Sequence, residues 1–257
     1  IVVAEPDDFG TRQGAFFESV GAQTHPHEAL EIIMVDAHGR SSTAAAFDAF
    51  RREHPAIRAS LLHCASTARA VGNNLAAAHA SGNLLVFLAD DFDPVAVLVE
   101  AHAAFHALNP DIDAVGIGPA LFPEELRQDP FARWLEDSGQ IFGVPMRRVV
   151  QNWPESYFFG GNTSIRKAKF DALGGFDEHF PYDAWDDHEF GLRWVDSGGY
   201  SRFVAAAVAI HRHAVSFEER CVAMARAGES ARVLEQLHPG REHGWRATLH
   251  RGRQPPR

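Results

Sequence analysis

Residues 84–94 read Leu84-Leu85-Val86-Phe87-Leu88-Ala89-Asp90-Asp91-Phe92-Asp93-Pro94. The apolar run is short and rich in branched and aromatic side chains, which predicts a strand buried on both faces. Adjacent carboxylates just beyond it repel each other unless a positive charge neutralises them. A hard divalent cation bound through oxygen does that and bridges to substrate phosphates. The alternative, equally open on these residues alone, is that Asp90 or Asp93 caps a helix after Pro94.

Upstream of this stretch the same rhythm repeats. Ile1 to Ala4, Glu31 to Val35 and Ile57 to Leu62 read as strands, and Gln13 to Val20, Thr43 to Arg52, Thr67 to Ala80 and Val95 to Ala107 read as helices. Strand and helix in alternation predict an α/β fold, a mostly parallel central sheet flanked by helices. Ligands of such sheets gather beyond the carboxyl ends of the strands. Acids cluster there: Glu5-Pro6-Asp7-Asp8, then Asp36, then Asp90, Asp91 and Asp93. Past Ala114 the elements shorten, with strands expected over Tyr157 to Ile165 and Phe203 to Ile210 and helices over Lys167 to Leu173, Asp186 to Ser197 and Ser216 to Leu237.

The chain has 257 residues, 46% hydrophobic and 23% charged, enough for one large α/β domain. We expect a single domain over 1–239, with a first half over 1–113 and a second over 114–239, and a basic tail over 240–257. The net charge of −10 disfavours a phosphate-tracking nucleic-acid binder. The tail carries five Arg and one Glu, suited to a solvated end or to peripheral membrane contact. Two cysteines outside any CxxC point to a reducing cytoplasm. No signal peptide is visible, and Ile1 lies inside an apolar stretch, which leaves room for sequence upstream.

Three further constellations carry chemistry. Trp185-Asp186-Asp187-His188-Glu189 opens a helix, on which neighbouring aspartates face different directions; one can enter a cleft as a general base while the other caps the helix. Glu189 and Arg193 are spaced as a surface ion pair. His211 and His213 share a face if extended and can approach one ion. Phe158-Phe159-Gly160-Gly161-Asn162 lets a backbone or ligand come close.

In this order the motifs resemble the inverting family 2 glycosyltransferases of GT-A fold, over nearly the whole chain to about Pro239. The resemblance runs through Val2 to Pro6, Gln23-Thr24-His25-Pro26, Ile32 to Asp36, then Asn74, Ala80, Gly82 and Leu84 to Asp91, then Gly160 to Arg166, Gly174 to Phe180, Asp186 to Arg193, and His211 with Phe217, Arg220, Gly228 and Ala231. Ala37 and Ala89 stand where relatives carry acids, and Asn73 where they often carry Arg.

The resemblance implies a nucleotide-diphosphate sugar donor, an acceptor that is a glycan, a lipid-linked sugar or a small molecule, and Mg2+ or Mn2+. It implies Asp36 at the nucleotide base with Glu5 and Pro6 nearby, Asp90 at the ribose or metal, and Asp91 on the cation, with Asp93 as its alternative. His211 is implied at the metal or diphosphate, with His213 as its alternative. Asp187, beside Asp186, is implied as catalytic base, Gly161 and Asn162 on the acceptor side, and Trp185 as a sugar platform. Asn74 belongs to the donor side, and we add Arg69 as a diphosphate contact. Two other functions remain open: a catalytically silent sugar-nucleotide or glycan binding module, motivated by Ala37 and Ala89, and a sugar-phosphate nucleotidyltransferase, hinted at by Gly10-Thr11-Arg12.

Overall fold

The run Leu84–Leu88 forms β4, a central strand whose side chains alternate between two cores. Val86 and Leu88 face one apolar cluster with Ile32, Met34, Phe16 and Phe47. Leu85 and Phe87 face the other with Ile33, Val35, Phe190 and Trp194. Both faces are covered by helices, which is why the strand reads as continuous hydrophobic sequence. The structure is a computed structural model and describes residues 1–5, 13–39, 41–147 and 157–241.

In chain order the elements are β1 (Val2–Glu5), α1 (Gln13–Gly21), β2 (Glu31–Asp36), α2 (Ser41–Glu53), β3 (Arg58–His63), α3 (Arg69–His79), β4, β5 (Phe92–Pro94), α4 (Leu98–Leu108), β6 (Ala114–Ile117), β7 (Ala120–Leu121), α5 (Pro130–Asp137), β8 (Asn162–Arg166), α6 (Lys167–Ala172), α7 (Asp186–Asp196), β9 (Tyr200–Phe203), β10 (Ala209–His211) and α8 (Phe217–Leu237). Seven strands form one sheet in the order β3-β2-β1-β4-β8-β6-β9. β3, β2, β1 and β4 run parallel, β8 runs antiparallel to β4 and β6, and β6 and β9 are parallel. The chain winds outward from β1 to β3 on one side and resumes with β4 on the other, so the strand order switches between β1 and β4, where open α/β sheets bind ligands.

A second, three-stranded sheet, β5-β10-β7, stands beyond the carboxyl end of β4. It corrects the expectation of one strand over Phe203 to Ile210. That run is two strands in two sheets, broken by a turn in which Ala207 N–H bonds Val204 O. Uniform apolarity hid the break, because the residues on both sides are buried. The strand expected over Tyr157 to Ile165 begins only at Asn162. The helix after Pro94 starts at Leu98 with Val97 as its cap, so neither Asp90 nor Asp93 caps it. Pro6, Gly10-Thr11-Arg12 and all of the tail beyond Arg241 lie outside the described residues.

Candidate functional site

The carboxyl ends of the parallel strands carry the acids expected there. Glu5 and Asp36 are register partners at the ends of β1 and β2. Asp36 is buried, and its Oδ1 accepts from the backbone N–H groups of His38 and Gly39 at 2.7 and 2.8 Å, so the carboxylate shapes the turn after β2. Asp90, also buried, follows β4 directly.

Asp91 and His211 come together. β10 pairs antiparallel with β5, setting His211 opposite Phe92, and His211 Nε2 lies 2.8 Å from Asp91 Oδ2. The rings of Phe92, Phe122 and Phe142 surround the imidazole at 5.2, 5.2 and 5.7 Å. Burial alone would raise the Asp91 carboxyl, but the charge and hydrogen bond of His211, with His213 behind it, outweigh that and hold it below its usual value. His211 Nδ1 is buried with no hydrogen-bond partner. Of the alternatives, Asp93 is bonded to Arg212, whereas His213 stacks on the His211 ring at 5.9 Å and lies 3.8 Å from Glu219. Among the described residues no three His, Cys, Asp or Glu side chains form a group suited to a metal.

The second group of expected residues lies at the start of α7. Neither aspartate caps the helix; its N-cap is Trp185, in a left-handed conformation with φ 72°. Asp186 turns inward, where Arg69 from the start of α3 binds its Oδ1 through Nη2 at 2.8 Å. Burial, the largest influence, raises the Asp186 carboxyl; Arg69 opposes it and Asp187 adds to it. Asp187 keeps 19% of its side chain open, and its Oδ2 accepts from Gly160 N–H at 3.1 Å. The next residue ties this side to the first, since Gly161 O accepts from Ala89 N–H at 3.1 Å. One dipeptide therefore links the start of α7 to the strand end that carries Asp90 and Asp91. A side chain at Gly161 would meet the Phe159 ring at 2.7 Å and the Phe92 ring at 3.1 Å, so the second glycine of the doublet is held by close ring contacts.

Several expected binding residues are used by the fold instead. Asn162 is fully buried: its amide donates to Ala207 O and Pro119 O at 2.7 and 3.2 Å, and its Oδ1 lies 3.1 Å from His102 Nε2. Its side chain therefore reaches no acceptor. Asn74 clamps the Gly174 to Glu178 loop, bonding both backbone groups of Phe176 and the Glu178 carboxylate. Arg69 faces aspartates, not the strand end, and also lies 4.0 Å from Asp187. Trp185 is half-buried with its indole N–H donated to Ala227 O on α8 at 2.9 Å. Glu189 and Arg193 are no surface pair: Glu189 is buried, is gripped by Arg193 at 2.6 Å, and lies 3.0 Å from His238 Nε2.

Sequence reasoning missed Tyr157 and the Phe box. Tyr157 donates its hydroxyl to Phe142 O, and burial, then the nearby Asp187 charge, pushes its phenol well above the usual value. The signal available for Tyr157 was its place three residues ahead of the glycine doublet.

The profile of the family described as the N-terminal domain of galactosyltransferase matches residues 142–216, which hold Gly160, Asp187 and His211. Chondroitin synthase of Escherichia coli is 33% identical over 88 residues, 34% of this chain and 13% of that protein. Among solved structures, a mannosyltransferase of Pyrobaculum calidifontis in complex with GDP-Man and Mn2+ superposes with a TM-score of 0.65 at 17% identity, covering 95% of this chain and 65% of that one. TarS of S. aureus gives 0.59 at 12% identity over 94% and 40%, and GalNAc-T7 with UDP, GalNAc and Mn2+ gives 0.59 at 13% over 82% and 43%. The chain thus spans less than two thirds of the length of each of these relatives. It has the GT-A glycosyltransferase fold and resembles the family 2-like glycosyltransferases.

Proposed function

We propose that the protein is an inverting, metal-dependent glycosyltransferase that moves a sugar from a nucleotide diphosphate to an acceptor hydroxyl. The observation that carries this is the dipeptide Gly160-Gly161, which bonds the Asp187 carboxylate on one side and the Asp90–Asp91 strand end on the other. The first half, 1–113, would hold the donor, with Glu5, Asp36 and Asp90 nearest the nucleotide, and the second half, 114–239, would hold the acceptor.

Asp91 and His211 fit a divalent cation. They supply an oxygen and a nitrogen donor already 2.8 Å apart, and the imidazole retains a buried, unpartnered ring nitrogen. Once bound, such an ion neutralises charge developing on a leaving diphosphate. Mn2+ accompanies the nucleotide or sugar in two structural relatives and is our first choice, Mg2+ the second.

Asp187 is the base of this proposal. Its Oδ1 accepts from His188 N–H and its Oδ2 from Gly160 N–H, which fixes the carboxylate plane while leaving an edge open to take a proton from an acceptor hydroxyl. The deprotonated oxygen displaces the diphosphate from the opposite face of the anomeric carbon in one step, which inverts its configuration. Tyr157, Phe159 and Phe92 pack in series beside the glycine doublet, with neighbouring ring centroids 6.3 Å apart. The donors named for the relatives, GDP-Man and UDP-linked sugars, define the first panel. The two free cysteines, Cys64 and Cys221, suit a reducing compartment such as the cytoplasm. No helix of the described residues is long and apolar enough to cross a membrane, and the proposed peripheral contact would fall to the basic tail.

The test is incubation with UDP- and GDP-sugars and Mn2+ while following nucleoside diphosphate release and the anomeric configuration of the product. Release with inversion supports the proposal. Ligand affinity indifferent to metal, without turnover, would favour a binding module; pyrophosphate released from a nucleoside triphosphate would favour a nucleotidyltransferase.

A further inference from the structure

We infer that Arg69 is a positioning residue for Asp187, acting through Asp186, and not a contact to the donor diphosphate. This rests on Asp187 as the base. Arg69 opens α3, in the donor half of the chain, yet its polar contacts to Asp183, Asp186 and Asp187 are all to the loop and helix start that carry the base. Its backbone N–H donates to Asp183 Oδ1 at 2.8 Å. Its guanidinium binds Asp186 through Nη2 at 2.8 Å and Nε at 3.5 Å, and Nη2 lies 4.0 Å from Asp187 Oδ2.

Two carboxylates within 4.0 Å of the guanidinium, with a third held on the backbone N–H of the same residue, leave it no surplus charge to offer a diphosphate. Burial works against its charge, and Asp186, Asp187 and Asp183, in that order, reinforce it. Asp186 is the buried partner, and Asp187, one residue on, keeps an open edge. The fork of the guanidinium therefore fixes the first turn of α7, and Gly160 N–H then sets the Asp187 carboxylate against that fixed turn. A planar fork does this where a point charge does it less well. The brace also crosses between the halves of the chain, so donor-side and acceptor-side elements meet at the base.

The test uses the full chain with whichever UDP- or GDP-sugar turns over in the panel above. Arg69→Gln leaves a buried aspartate without its partner, so the decisive variant is Arg69→Gln with Asp186→Asn, which removes both charges and lets the buried site stay satisfied. We expect that double variant to lose about thirtyfold or more in kcat, the cost of a misplaced base, while the donor KM and the calorimetric Kd of UDP or GDP with Mn2+ stay within about twofold. Arg69→Lys should recover part of the lost kcat relative to Arg69→Gln.

Unchanged kcat in the double variant overturns the inference. So does a tenfold weaker nucleoside diphosphate Kd with kcat retained, which would return Arg69 to the diphosphate. Asp187→Asn is measured beside these variants. If it still transfers sugar, the base assignment itself has failed; if it is inactive while the double variant runs at full rate, only the role of Arg69 has failed.

Discussion

His211 Nε2 stands 2.8 Å from Asp91 Oδ2 inside a ring of three phenylalanines. Low polarity around the pair strengthens the attraction between them and makes either partner costly to leave alone. Replacing His211 by Ala or Asp91 by Asn should abolish the metal dependence of nucleoside diphosphate binding, read by calorimetry with and without Mn2+. Retention of a metal effect in both variants would move the cation elsewhere. Asp93→Asn should leave that metal effect in place, because its carboxylate is bonded to Arg212.

Asp187→Asn should lower kcat by about 10²–10⁴-fold, the usual worth of a positioned base. Donor affinity should hold within twofold, since Asp187 belongs to the start of α7 and not to the strand ends proposed to hold the donor. The measurement is steady-state kinetics with the donor identified by the panel.

Stability should fall as the pH drops below neutrality. His102 and His106 lie behind β8, joined through Ser164 Oγ at 2.8 and 3.0 Å. Burial, chiefly, depresses both imidazoles from 6.5 to about 4. In the unfolded chain they titrate near 6.5, so between about 6.5 and 4 the unfolded state binds more protons and protonation favours unfolding. Their contribution is complete above 6.5 and is lost as pH falls toward 4. At pH 5 the loss amounts to about 2 kcal/mol per histidine, on the scale of 1.36 kcal/mol per pH unit. Urea melts at pH 7 and 5 measure it, and His106→Gln should flatten the dependence.

Glu189→Ala distinguishes a buried ion pair from a surface one. An exposed i,i+4 pair contributes about 0.3–0.5 kcal/mol. Here the buried carboxylate holds Arg193, which also donates to Leu173 O and Gly175 O, and lies 3.0 Å from His238 at the end of α8. Removing one partner of such a buried network costs about 3–5 kcal/mol. A thermal unfolding midpoint within a degree of the parent protein would refute it.

Much of the scaffold was legible because its signals are local. Leu84–Leu88 is bounded where its apolar run ends, and Ser216 with Glu219 forms a capping box at the start of α8. The strand-end acids were found because parallel strands place their carboxyl ends together. What escaped depends on contacts distant in sequence. Nothing near Asn162 announces that its amide would be divided among Pro119, Ala207 and His102. Asn74 sits 102 residues from Phe176, the backbone it clamps, and Arg69 sits 117 residues from Asp186. A polar residue serving the fold and one serving a ligand look alike in sequence; only the identity of the partner separates them. Phe203 to Ile210 failed for a different reason, since apolarity reports burial but not which sheet a residue joins.

The glycine doublet behaves as a ruler. With Gly160 bonded to Asp187 and Gly161 to Ala89, the separation between the start of α7 and the end of β4 is set by the length of a single peptide unit, and an inserted residue at this point would break one of the two bonds. That spacing is written in the backbone, so the side chains around the doublet can change without altering it.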